Sequence, residues 1–209
     1  MVSNIKIATL AVTIPLLGGC LHAPPNYPGA GGANIDPATY VNTLCPDISG
    51  RYEGRGVLVD GDATAQQTAP AWRLDNVFPF SDSLQAAEVI GAAGYRVPAY
   101  GDVNWSERKA RVHLVFDDGR KKEYESSFLD KGRFICTGAS GKIVWGGGGE
   151  ESRSEFGPNK LDYVKAIYLN ENRDLIMEKE MQVHMSLRLG NIPAGTARYF
   201  SKYQFKRLR

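Results

Sequence analysis

The sequence predicts a mainly β protein: an antiparallel β-meander, barrel-like or built on a strongly curved sheet, with one or two short helices. Three observations carry this. Residues 175–189 alternate with a period of two. Leu175, Met177, Met181, Val183, Met185, Leu187 and Leu189 hold odd positions, with Lys179 the one exception, and Glu178, Glu180, Gln182, His184, Ser186 and Arg188 hold even ones. Successive side chains of a strand point to opposite faces, so one face is buried and the other wet. Asp118-Gly119, set between Arg111–Phe116 and Lys121–Phe128, is a strong hairpin signal. Finally, 23 glycines and an aromatic fraction of 10% fit many turns between aromatic-rich strands.

The chain opens with Lys6 and then an apolar stretch, Ile7 to Leu17, broken only by Thr9, Thr13 and Pro15. A membrane helix needs about 20 apolar residues, so the stretch is too short to span a bilayer and fits the core of an export signal. Leu17-Gly18-Gly19-Cys20 follows. This resembles the lipobox of bacterial lipoproteins: an aliphatic residue, two small residues, then cysteine. The resemblance implies a signal peptide over residues 1–19, cleavage before Cys20, and a diacylglycerol thioether and further acylation on Cys20 as the membrane anchor. The alternatives are a plain secretory signal, or an apolar N-terminal helix with Cys20 buried. Leu21 stands where an aspartate favours inner-membrane retention in enteric-type bacteria, so the implied location is the periplasmic leaflet of the outer membrane.

Residues 20–35 are rich in Pro, Gly, Ala and Asn. They read as a flexible tether with a reach of roughly 20 Å. Residues 36–209 are expected to form a single β-rich domain. Asp36-Pro37 starts a short helical turn over Pro37–Leu44, which ends at Cys45-Pro46. Cys45 and Cys136 are left once Cys20 carries the lipid. In an oxidising compartment they predict one disulfide, worth about 4–5 kcal/mol in the chain-entropy model. Two buried free thiols are the alternative. Neither cysteine has a second ligand at zinc-site spacing.

A first strand is expected from Ser49 to about Val59, closed by the Asp60-Gly61 turn. Residues 62–80 carry no clear pattern. Asp82 to Ala93 reads as a short helix stopped at Gly94. After the 111–128 hairpin, Phe134–Thr137 and Lys142–Trp145 flank a turn, Leu161–Leu169 leads through a polar turn into residues 175–189, and Ala197–Leu208 closes the sheet. The closing strand sets Tyr199, Tyr203 and Phe205 against Arg198, Lys202, Gln204 and Lys206.

The run Cys45-Pro46-Asp47-Ile48-Ser49-Gly50-Arg51-Tyr52-Glu53 resembles a start seen in uncharacterised proteobacterial lipoproteins, where Cys-Pro-Asp-x-Ser-Gly-x-Tyr follows the tether. Ile192-Pro193-Ala194-Gly195 and Arg198-Tyr199-Phe200 resemble the C-terminus of the same group. The resemblance covers the two ends of the domain and carries no activity. Gly50-Arg51-Tyr52 is also similar to the Gly-x-Trp opening of lipocalins, with Tyr in place of Trp.

Catalytic patterns are sparse. His113 and His184 belong to no metal motif, and their expected role is solvated or core-satisfied. There is no Gly-x-Ser-x-Gly elbow. Gly138-Ala-Ser-Gly-Lys142 has the wrong spacing for a phosphate loop, and Ile143 replaces the required hydroxyl. Gly146 to Gly149 reads as a loop, with Glu150 and Glu151 beside it as a candidate acid/base pair that strand geometry would split between two faces. Lys202, Lys206, Arg207 and Arg209 form a basic strip, read as edge-strand charge or as a contact for anionic head groups. Subtracting Lys6 from the formal charge of +2 leaves +1 for residues 20–209, which argues against a nucleic-acid partner. The expectation is therefore a non-enzymatic, membrane-anchored envelope lipoprotein without a cofactor. Its partners would be the membrane, through the lipid, and either a small apolar ligand held by the Met/aromatic face or another envelope protein. An envelope hydrolase using acids near Gly146–Gly149 is the alternative.

Overall fold

The computed structural model describes residues 42–80, 83–91, 96–106, 109–127, 134–154, 157–187 and 192–209. The export signal, Cys20, the tether and most of the Pro37–Leu44 turn lie outside these residues. The strands are β1 (Gly50–Glu53), β2 (Arg55–Gly61), β3 (Ala71–Arg73), β4 (Tyr100–Ser106), β5 (Lys109–Val115), β6 (Lys121–Ser127), β7 (Phe134–Cys136), β8 (Ile143–Ser154), β9 (Gly157–Leu169), β10 (Leu175–Leu187), β11 (Ile192–Phe205) and β12 (Arg207–Leu208). The helices are α1 (Ala63–Thr68) and α2 (Ser83–Ala86), the latter continuing as a π-turn over Ala87–Gly91. Two antiparallel sheets result, ordered β12-β1-β4-β5-β6 and β3-β2-β11-β10-β9-β8-β7. Strands β7 to β11 form the meander expected from the sequence, and the sheets do not close into a barrel.

The expected first strand is in fact two strands in two sheets. The chain bends at Gly54, where a Cβ would overlap the Pro98 carbonyl. Only glycine permits that approach. Both backbone groups of Gly54 are used there: its N–H donates to Ala99 O at 3.0 Å, and its carbonyl accepts from Leu74 N at 2.9 Å. The C-terminus makes the reverse crossing after Phe205, and Glu53 N donates to Lys206 O at 2.9 Å. Arg51 and Tyr52 then pair with Leu208 and Arg207. Asp174 fastens this crossing, accepting from Arg207 N at 2.8 Å and Gln204 Nε2 at 2.7 Å. Burial raises its pKa, but these bonds and one from Asn170 more than offset that and hold the carboxyl below its ordinary range.

Between the sheets lies one core. Tyr52, Val103, Val112, Leu114 and Tyr124 come from the small sheet, and Ile143, Ile167, Leu175, Met177, Tyr203 and Phe205 from the large one. Leu74, Val77 and Phe78 fill the space between. Cys45 and Cys136 are bonded across 91 residues, with Cα atoms 4.7 Å apart. The bond ties the segment leading into β1 to β7, the far edge of the large sheet.

Two expectations are corrected. Gly146 to Gly149 is not a loop. These residues run within β8, where Gly146 and Gly147 pair with Val164 and Tyr163, and a bulge follows before Glu150. Strand β9 supplies a full ladder partner, and ladder pairing overrides the poor strand propensity of glycine. The basic strip guards an edge only in part: Lys202 lies on β11, between β10 and β2, while Arg207 lies on β12, the edge strand of the small sheet.

Candidate functional site

The odd face of β10 divides into two environments. Leu175 and Met177 are fully buried in the core, opposite Phe205 and Tyr203 on β11 and Leu169 and Ile167 on β9. From Lys179 onward the same face emerges from the core, and Met185 is 39% exposed. Its neighbours across the sheet now form the floor of an open groove. The row through Lys179 holds Ser201 and Gly61, whose small size leaves a hollow. The next rows hold Met181 beside Tyr199 and Tyr163, then Val183 beside Ala197 and Leu161.

Helix α1 makes the wall of this groove. Asp62 caps it, accepting from Ala65 N at 2.9 Å, and its second carboxylate oxygen accepts from Phe200 N of β11 at 2.7 Å. These backbone N–H groups, Ala65 first, hold the Asp62 carboxyl below its ordinary range. Ala65 sits above Gly61 so closely that a Cβ on that glycine would meet it at 3.1 Å. Tyr203 donates its hydroxyl to Ala69 O at 3.1 Å, and the Trp72 ring lies 5.3 Å from that of Tyr203. Wall and floor are thus joined by a carboxylate, a phenol and an aromatic pair.

The groove has a volume of about 340 Å³ and is lined by Trp72, Met181, Val183, Tyr199 and Tyr203 among others. A second hollow of about 280 Å³, lined by Leu161, Tyr163 and Lys165, adjoins it across Lys179 and Met181. Small-molecule sites typically occupy about 300–1,000 Å³ and are mostly apolar with a few placed polar groups. Here the placed groups are Lys179, whose Nζ lies 5.2 Å from the centre of the Trp72 ring, and the Trp72 indole N–H, which is buried without an acceptor. Burial alone pushes the Lys179 amine below the ordinary lysine range.

The opposite, even face is a lattice of ion pairs. Glu178 takes Lys142, Lys202 at 3.2 Å and the Tyr168 hydroxyl at 2.8 Å, and Glu180 takes Arg198 at 2.6 Å. His184 stands between Thr196 Oγ1 and Asp162 Oδ2, 3.0 Å from each, and laces β9, β10 and β11 together. This hydroxyl–imidazole–carboxylate chain escapes sequence reading because its members meet only through strand register. It lies on the face away from the groove.

The other candidates do not assemble around one centre. His113 is 3.7 Å from Glu123 on the small sheet. Gly138 to Lys142 forms the turn between β7 and β8, with Gly141 N donating to Gly138 O at 2.9 Å. Glu150 and Glu151 pair with Leu161 and Lys160 in the ladder, and their side chains lie outside the description. The basic strip is dispersed: Lys202 pairs with Glu178, and Arg207 lies over the Tyr52 ring at 5.7 Å. Among the described residues no group of His, Cys, Asp or Glu could hold a metal, and no helix is long and apolar enough to cross a membrane. The groove residues missed by sequence reading are Asp62, Trp72 and the α1 wall, all in the stretch without a pattern. In the sequence Lys179 stands out only as the break in the alternation. Comparison with protein-family models, with curated proteins and with solved structures finds no match, so any functional reading rests on the groove itself.

Proposed function

We propose that the chain is a membrane-anchored envelope lipoprotein, tethered through Cys20, whose large sheet binds an apolar ligand of acyl-chain type. The observation that carries this is the emergence of the odd face of β10 from the core as a groove floored by Met181, Val183 and Tyr199 and walled by α1. Methionine and tyrosine suit such a ligand: the thioether chain adapts to irregular apolar surfaces, and the ring offers wide contact. Each methylene removed from water there contributes about 0.8 kcal/mol. The Cys45–Cys136 bond supports an oxidising compartment, as the export signal expects. The lipobox and Leu21 support lipid anchorage, with the outer membrane as the location.

Native mass spectrometry of the chain purified from membranes, with and without reductant, tests the reading. A bound mass that dissociates as an amphiphile or other small apolar molecule is expected. So is a protein two hydrogens lighter than its reduced form. A clean protein mass, with no ligand taken up from added amphiphiles, would overturn ligand binding and turn attention to protein partners. Cys20→Ser should release the protein from the membrane fraction; retention of that variant would overturn the lipid anchor.

A further inference from the structure

Lys179 is chemically out of place on the face it occupies. It lies between Met177 and Met181 along the strand and beside Ser201 and Lys165 across it. The acidic residues of β10, Glu178 and Glu180, point to the other face, where they are taken by Lys142, Lys202 and Arg198. The one acid lining the groove, Asp62, has both carboxylate oxygens engaged by backbone N–H groups. Among the described residues Lys179 therefore forms no ion pair, and its amine meets only the Trp72 ring face. The second polar atom at this end, the Trp72 indole N–H, is a buried donor without an acceptor. Lys179 and Trp72 thus line the same end of an apolar groove, one a cation without a carboxylate partner and the other carrying a donor without an acceptor. A buried donor left unpaired costs free energy until a partner arrives. The complement is an anionic oxygen attached to an apolar chain.

We propose that Lys179 and Trp72 form a head-group site, and that the ligand is a single-chain anionic amphiphile whose carboxylate or phosphate monoester sits at this end while its chain runs over Met181 and Val183. The proposal rests on the reading of the groove as an acyl-chain site and adds the head-group chemistry and the orientation. Lys165, across the ladder from Lys179, adds positive potential from the adjoining hollow. Orientation follows from the floor, since the polar groups lie at the Tyr203 end and the apolar row leads outward to Met185.

The test uses residues 20–209 carrying Cys20→Ser, with the disulfide verified by mass and the fold by circular dichroism. Three probes share one chain length: decanoate, decyl phosphate and decanol. Binding is read by calorimetry on the unaltered groove and on Lys179→Met, Lys179→Arg and Trp72→Phe. The anions should bind at least about tenfold tighter than decanol, as a charge-assisted hydrogen bond provides. Lys179→Met should erase that preference, while Lys179→Arg should keep most of it. Trp72→Phe should weaken the anions more than decanol. The tighter of the two anions identifies the head group. Equal affinity for decanol and the anions, or an anion preference that survives Lys179→Met, would overturn the head-group site and leave the groove standing. Failure of all three probes to bind the folded protein would overturn the groove reading itself.

Discussion

Met177 and Met181 stand on the same face of the same strand, four residues apart, in different surroundings. Met177 is fully buried between Tyr203 and Ile167, under the small sheet's side chains. Met181 lies between Tyr199 and Tyr163 on the floor of an open groove. The alternation that puts both on an apolar face is unbroken in register, for β9, β10 and β11 pair without a slip from residue 175 to 185 of β10. What differs is the cover. Periodicity therefore encodes which face is apolar, and not whether the rest of the fold covers it.

The largest effect that would sharpen this contrast concerns the disulfide, which fastens the covered half. Cys136 pairs with Ile143, whose other neighbour is Ile167 in the core. Cys45→Ala with Cys136→Ala should lower the unfolding free energy by about 4–5 kcal/mol by urea titration, from the long loop that the bond closes. Next, Met177→Ala should cost about 2–5 kcal/mol, as deletion from a filled core does. Met181→Ala, at a half-buried position, should cost clearly less, about 1 kcal/mol. Comparable losses from the two would break the division of the strand into halves.

The polar side of the same strand offers a smaller test with a sign. Burial raises the Glu178 pKa, but Lys142, Tyr168 and Lys202 more than offset it and hold the carboxyl below its ordinary 4.5. A depressed carboxyl stabilises the fold fully above the unfolded value, and that contribution disappears as pH falls through the lower folded value. Glu178→Gln should therefore cost about 1 kcal/mol at neutral pH and nothing in acid below the folded value, by denaturant titration across pH. The smallest effect belongs to Lys179. Its amine is depressed by burial, so its charge opposes folding in full below the folded pKa, and stability rises with pH between that value and the ordinary 10.5. Lys179→Met should make the protein slightly more stable at neutral pH, with the gain shrinking toward pH 10.5. A stabilising loss of a native side chain is what a binding residue, rather than a structural one, would give.

Much of the fold was legible because strands with one wet face print their period on the sequence. Residues 175–189 and the Asp118-Gly119 hairpin are such cases, and the cysteine pair was legible from composition and compartment. The groove was half legible. Its floor stood out as a Met/aromatic face, but its wall did not, since α1 has six residues and no room for a helical period. Trp72 lies in a three-residue strand, too short for any alternation. The split at Gly54 was hidden because alternation continues across it, and only the contact with Pro98 shows why a glycine is required. The Thr196–His184–Asp162 chain depends on register across two hairpins, which spacing alone does not supply.

Three of the chain's four methionines, Met177, Met181 and Met185, lie along β10 and sample the passage from core to groove, while Met1 is remote in sequence. Methyl NMR of methionine-labelled protein titrated with decanoate follows all three at once. Saturable movement of the Met181 signal, less at Met185 and none at Met177, is the expected result. Equal movement at Met177, or no movement at any of the three, would contradict the division of this sheet into a structural half and a binding half.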